Sequence, residues 1–558
     1  MQHIATLIHR HLSGDNAQEL TEAITQFWRA PGSSGYHAAT NLVAEQLRKI
    51  GLPEVNSTTY PLDGKTQFLH QTMPLAWEPY NAVVRTTGPT QETLVTFDDA
   101  PSCLMPWSCP TPPGGMTAEL VDLGTGESDA DFAGKDLDGK FVFIHHTEHR
   151  ALWTHAATKA MELGAKGVLT DYLLYQTAPF RTRENLPCAV QLLRLPNKTG
   201  KFDAWGCAVD HPTGQHLREL FQLGPVTIHA DIQCKIFEGE GQNLLATIPG
   251  AELPDESVFF IAHTSAATKP AANCAAGPAL MVEMARTLHT LIEAGEIPRP
   301  RRSIKFLFVA EGLGSEAFID RNRGELDQIK TAFCLDSVGH HQEKCNSALL
   351  FYRHPDSTPS FINDYFAGVM ERAPKDASWV FAKDDALAPV IFEQAPYTPW
   401  SDNHYWAAFG VPSPLIMSWP DRCFHTQLLT AEMTDPRVFR AAGISLALAA
   451  YEIANAGQQD ALAFADEVAT RSLYRLDAVG NQAVRAAMDD TGEGQPAVEK
   501  AIRQLDYFAQ RDGDAIASIQ TLLPTELAQP VQESIAAQQT LLQEKVESVK
   551  RRIHQRLA

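Results

Sequence analysis

No apolar run in this chain of 558 residues is long enough to cross a bilayer, so no transmembrane helix is expected. The opening residues, MQHIATLIHRHLSGDN, lack the continuous apolar segment of a secretory signal, which leads us to expect a cytoplasmic protein. Basic residues are scarce: 46 Lys and Arg face 67 Asp and Glu, for a formal net charge of −21. That balance argues against nucleic acid and anionic membrane as partners, since both require concentrated positive charge. The nine cysteines are odd in number, scattered, and contain no CxxC pair. Neither a thiolate zinc knuckle nor a disulfide framework is expected from them. The GLGS at 312–315 completes neither a GxxxxGK nor a GxGxxG phosphate loop, and no lysine follows it. No GxSxG elbow marks a serine hydrolase.

What is present is a recurrence. Four apolar runs each end at, or shortly before, a residue able to bind a metal: VFFIA at His263, IKFLFVA at Glu311, TAFCL at Asp336, and PLIM, after a short loop, at His425. In an open parallel sheet, ligands bind beyond the carboxyl ends of the strands, so these four side chains are expected to share one crevice. Two imidazoles and two carboxylates are the donor set of a hydrolytic zinc centre.

The chain is too long for one core, and its patterning divides it. A helix over HAATNLVAEQLRKIGL, ending at Gly51, opens a first segment of residues 1–80. The stretch from 81 to 115, rich in Pro, Thr and Gly, reads as a linker with irregular strands. AELVDLG, GKFVFIHH, ATKAMELGAKG and VLT then alternate strand and helix in a compact unit closing near 238. From GQNLLATIPG onward strands and helices alternate again, with Leu280, Met284, Leu288 and Leu291 on one helical face. This predicts an α/β domain with a mostly parallel central sheet and helices on both faces, formed by 1–80 and 239–457 around an insert at 81–238. Residues 458–558, rich in Ala, Gln, Glu and Leu, form a C-terminal helical region. That region is either a homodimerisation element or a bundle packed on its own domain.

In order, AHTSA, NCAAG, AEGLGSEAF, IKTAFCLDSVG, WSDNHYWAAFG and FHTQLLTAEMTDP resemble the site segments of the co-catalytic zinc exopeptidases. That family includes bacterial aminopeptidases, glutamate carboxypeptidase and the transferrin receptor. AELVDLG, DLDGKFVFI and AMELGAKGVL similarly resemble its inserted protease-associated domain. The resemblance implies one or two zinc ions held by His263, Asp336 and His425, with Glu311 as ligand or general base. It places Asn273 at the bridging ligand, Ser265 at a supporting acid, and Ser401, Asp402 and His404 on the substrate side. Small peptides or modified amino acids would be the substrates.

Three positions depart from that pattern. Asn273 stands where a bridging carboxylate is expected, and an amide cannot share charge between two dications. Ser265 replaces an acid whose loss costs about 10- to 100-fold in affinity or activity in comparable sites. Gly312 follows Glu311, leaving one acid where the family has two. Asn273 also reads as the N-cap of a helix starting at Cys274, a residue that could be a soft ligand but reads more readily as a buried inert thiol. His340, His341 and His404 are further candidates for a missing ligand or base. Two expectations result: an exopeptidase or amidase with an atypical, single-metal site, and a catalytically silent relative serving as a binding module.

Overall fold

The computed structural model describes residues 2–557, except 148, 177–178, 267, 376–380, 383–384, 387–388, 489–493 and 524–528. Local signals in the sequence set many of its elements. Ser33 accepts a hydrogen bond from the Tyr36 amide to start the helix Ser34–Ile50, and Gly51, at φ 94°, ends it. Asp435 caps Pro436–Asn455 through the Arg437 amide, with Pro436 in the first turn where no donor is needed.

The main sheet has eight strands in the order Glu54–Leu62, Gly239–Ile248, Arg302–Val309, Leu253–His263, Ile329–Leu335, Leu415–Trp419, Ala348–Tyr352 and Phe392–Ala395. Its four middle strands, from Arg302–Val309 to Leu415–Trp419, run parallel. The two strands on one flank pair antiparallel, as does Ala348–Tyr352 with Leu415–Trp419, so the sheet is mixed around a parallel centre. The parallel strands are buried on both faces; Ile329–Leu335 has no exposed residue. One layer of helices comprises Ala272–Glu293, Pro436–Asn455, Gly14–Thr25 and Ser34–Ile50 around a single apolar core. On the opposite face Phe259, Phe318 and Trp406 pack ring against ring beneath the helices Leu313–Arg321 and Asn403–Ala408.

A second sheet of seven strands lies within residues 76–237, its strands in the order Thr93–Thr96, Ala76–Gly88, Val226–Phe237, Met116–Asp122, Phe141–Ile144, Gly167–Thr170 and Trp205–Ala208. It has its own core, built on Trp77, Phe141, Trp153 and Trp205. The supposed linker beginning at 81 is thus, in its first part, regular structure. Ala82, Val84 and Thr86 are buried at alternate positions of a 13-residue strand. Its Pro79 lies at a register shift, one of the few places a strand accepts proline.

The C-terminal helices Gln458–Met488, Gly494–Ala517 and Gln529–Leu557 pack on each other and on the helix Ile362–Arg372 of the same chain. Phe464 stacks on Phe361 and meets the Tyr365 ring at a tilt. The fully buried Arg302 donates to the carbonyls of Ala456 (2.8 Å) and Leu522, tying the start of the interior strand Arg302–Val309 to this bundle. Among the described residues no helix is long and apolar enough to cross a membrane.

Candidate functional site

The chain runs from Leu253–His263 to Arg302–Val309 on one side, then returns to Ile329–Leu335 on the other. Strand order therefore reverses at His263, and a crevice opens beyond the carboxyl ends of these strands. The residues following each strand meet there. Donor atoms of His263, Glu311 and Asp336 all lie within 4.8 Å of one another, close enough to hold one metal ion. His263 Nε2 and Asp336 Oδ2 are 3.5 Å apart.

The supports of these groups are local. His263 Nδ1 contacts the Ser265 main-chain carbonyl at 2.8 Å, which leaves Nε2 for the cleft. A carbonyl in this position orients an imidazole as a carboxylate would, so the acid missing at 265 is replaced by backbone. The Ser265 hydroxyl accepts from the Glu311 amide at 2.9 Å. Arg29, fully buried, donates to the carbonyls of Thr264 and Ala271 (both 2.9 Å), pinning the loop between strand and helix. Ala271, at φ 39°, precedes the helix Ala272–Glu293, so Asn273 lies inside the first turn and is not its cap. The Asn273 Oδ1 is buried without a hydrogen-bond partner, and the residue lines the same cavity as His263 and Asp336. Cys274 is buried in that turn, and burial pushes its thiol up to about 11.

Gly312 has φ 69°, and a Cβ there would sit 2.7 Å from the Tyr405 hydroxyl. Its amide donates to Asp402 Oδ1 at 2.9 Å. No second acid fits after Glu311 without strain, so Gly312→Glu is expected to lower the melting temperature and add no metal equivalent. Metal analysis beside a thermal melt checks both.

Burial opposes charge on these groups, but their mutual attraction decides the outcome. Asp336 is pushed up by burial yet falls to about 2 beside His263. His263 is disfavoured as a cation by burial, but Asp336 lifts it well above the ordinary imidazole value. For Glu311, burial is outweighed by His263 and Arg194, and its pKa falls. Burial and then Arg194 lower His425 to about 3, leaving a neutral ring with a free lone pair. Asp402 is raised to about 6, chiefly by burial.

A cavity of about 240 Å³ covers the cluster. His425 lines it but stands outside the His263, Glu311 and Asp336 group. Its backbone is left-handed at φ 53°, and its ring stacks on Phe424 at 3.8 Å. Residues of the second sheet's unit hold this segment. Leu192 N and Gln191 Nε2 donate to the His425 carbonyl at 2.8 and 2.9 Å, and Arg181 donates to the carbonyls of Arg422 and Phe424. Two residues beyond Leu192, Arg194 Nη2 reaches Glu311 Oε2 at 3.2 Å. Arg150, Arg194, Tyr175, Trp400 and Trp419 complete the walls. Arg150, Arg194 and Tyr175 stand at no strand end and in no motif, so no periodicity points to them, whereas Trp400 opens the WSDNHYWAAFG segment and Trp419 ends the strand Leu415–Trp419. An adjoining cavity of about 170 Å³ shares Glu311, Arg194 and Trp400 and is lined by Ser401 and His404. His404 Nδ1 is held by the Ser401 carbonyl at 2.7 Å, away from the cluster. His341 is drawn off to cap the short helix Gln342–Cys345, and His340 belongs to a separate buried group with Cys345 and Asp421.

No family model matches the chain, and no curated protein matches it in sequence. Solved structures do. A zinc aminopeptidase from Bacillus subtilis is 19% identical with a TM-score of 0.56, covering 81% of this chain and 98% of that one. The peptidase M28 precursor from Shewanella amazonensis SB2B is 17% identical with a TM-score of 0.59, covering 82% and 97%. An aminopeptidase from Aneurinibacillus sp. strain AM-1 is 19% identical with a TM-score of 0.52, covering 81% and 97%. At such identities the likeness is one of architecture: the chain has a zinc-aminopeptidase-like fold of the M28 peptidase type, with two side-chain groups among the described residues able to hold a metal.

Proposed function

We propose that this chain is a metal-dependent exopeptidase or amidase with a one-zinc site, acting on the ends of small peptides or on modified amino acids. The observation that carries the reading is the convergence of His263, Glu311 and Asp336 within 4.8 Å at the point where strand order reverses. Imidazole and carboxylate suit zinc, and the unpartnered Asn273 Oδ1 adds a neutral donor on the same wall. Zinc held by His263 and Asp336 would supply Lewis-acid polarisation of the scissile carbonyl and a more acidic water.

The protein's own groups supply the rest. Glu311, ionised, accepts a proton from the attacking water and returns it to the leaving amine. Neutral His425 donates or accepts one hydrogen bond at the cleft wall. Arg194 puts a single positive charge beside Glu311, in place of a second cation, and with Arg150 forms a seat for a substrate carboxylate. Trp400, Trp419, Tyr175 and Phe424 form an aromatic wall suited to one apolar side chain. A volume of about 240 Å³ suits a chain end better than the middle of a polypeptide. Residues 81–238 would act as a protease-associated-like insert that narrows access to the cleft. The nine free thiols fit a reducing compartment such as the cytoplasm. A homodimer through residues 458–558 would have to use surface other than the apolar stripe already buried in the chain.

The second reading, a silent relative, is favoured by the absence of acids at 265, 273 and 312. Metal content decides between them. Protein purified without chelator should lose one zinc equivalent on His263→Ala. It should hydrolyse some member of a panel of aminoacyl and N-acylamino-acid amides. Unchanged zinc content in His263→Ala would end the metal reading. Zinc uptake without hydrolysis, together with activity gained by Asn273→Asp, would favour the silent relative.

A further inference from the structure

Behind the cleft lies a second group of metal-binding side chains that the proposed chemistry does not use. His340, Cys345 and Asp421 are all buried, and their donor atoms lie within 4.8 Å of one another. Both ring nitrogens of His340 lack a hydrogen-bond partner, although the residue is 0% exposed. Asp421 Oδ2 is likewise buried and unpartnered. The two groups face each other at 3.9 Å, beyond hydrogen-bonding distance. Asp421 Oδ1 is already engaged by the Cys423 amide at 2.8 Å, so the free oxygen is the one turned toward His340.

Burying an imidazole and a carboxylate oxygen unpaired costs about 1–3 kcal/mol each, and more for a charge, so such atoms call for a partner. A buried water could satisfy one or two of them. It would leave the thiol unexplained, since Cys345 Sγ has only a weak contact to the Met433 carbonyl at 3.4 Å. Imidazole, thiolate and carboxylate together are a zinc donor set; calcium and magnesium prefer all-oxygen shells.

We propose that His340, Cys345 and Asp421 form a structural zinc site. On binding, the Cys345 thiol gives its proton to solvent, and the imidazole binds in its neutral form. The site would staple the 340–345 stretch to the turn at Asp421, two segments already joined by the Arg422 N donation to the Cys345 carbonyl (2.8 Å). The 421–425 turn leads directly to His425, so the ion would fix one wall of the cleft without meeting substrate. The assignment does not depend on catalysis at His263.

Cobalt substitution and X-ray absorption test it on the full-length chain. Cys274 lies beside the other cluster and is first removed as Cys274→Ser, so that any metal–sulfur signal must come from elsewhere. Cobalt-loaded Cys274→Ser protein should show a thiolate-to-cobalt charge-transfer band, and its zinc-loaded form a sulfur in the zinc shell. Both signals should persist in Cys274→Ser/His263→Ala and vanish in Cys274→Ser/Cys345→Ser, with one metal equivalent lost in the latter. A shell of nitrogen and oxygen alone in the Cys274→Ser protein, which leaves Cys345 intact, would overturn the assignment. So would sulfur signals that survive in a folded Cys345→Ser variant.

Discussion

Replacing Glu311 with Gln is expected to lower hydrolysis by roughly 10²- to 10⁴-fold, the range for loss of a positioned general base. Glutamine keeps the shape and the hydrogen bond to Arg194 but cannot take a proton from water. The effect should fall on kcat more than on KM, because the substrate seat at Arg150 and Arg194 is retained. Zinc content separates the two roles open to this residue. If Glu311 is the base, the variant keeps its metal; if it is a required ligand, zinc content falls with activity. Arg194→Met offers the complementary measurement. Removing the guanidinium 3.2 Å from Glu311 lets its carboxyl pKa rise, so the acid limb of the activity profile should move to higher pH. An unchanged rate in Glu311→Gln would remove this residue from the mechanism.

The spatial meeting of His263, Glu311 and Asp336 was legible because each ends an apolar run, and consecutive parallel strands bring their ends to one side. His425 was less legible: it follows a loop whose left-handed turn, together with the hydrogen bonds from Leu192 and Gln191, decides where its ring lies. The way Ser265 supports His263 is not visible in its side chain alone. Its main-chain carbonyl meets His263 and its hydroxyl meets Glu311, and a backbone acceptor leaves no trace in residue identity. Asn273 looked like a cap because Asn favours that position, yet the helix begins two residues earlier than Cys274, after the left-handed Ala271. The strand Ala76–Gly88 was hidden by Pro, Thr and Gly, although alternate burial is plain in the fold. Arg194 was not legible at all. Its position follows from how the second sheet's unit grips residues 422–427, a long-range contact that no local pattern encodes.

Removal of Arg475 should produce the largest loss of stability outside the cleft. Its guanidinium lies between Asp364, on the helix Ile362–Arg372, and Asp512, in the C-terminal bundle, at 2.8 Å from each. Both carboxylates are at most 5% exposed, so taking away the cation strands buried negative charge. Breaking such a pair costs about 3–5 kcal/mol. Arg353 still approaches Asp364 at 3.3 Å and Arg511 still pairs with Asp512 at 2.7 Å, which puts Arg475→Ala toward the lower end of that range. The pH dependence carries a sign that a simple packing defect would not give. In the parent protein burial pushes Asp364 up, but Arg475 outweighs it and the folded pKa lies below the ordinary carboxylate value. Its contribution is therefore complete above about pH 4 and is lost as pH falls through the lower folded value. In Arg475→Ala burial prevails, the folded pKa rises above the unfolded one, and acidification from about pH 6 toward 4 should recover stability. Asp364→Asn in the same background should do so at neutral pH. Urea melts across that interval would reject the ion-pair account if the variant lost less than about 1 kcal/mol or kept the parent's slope with pH.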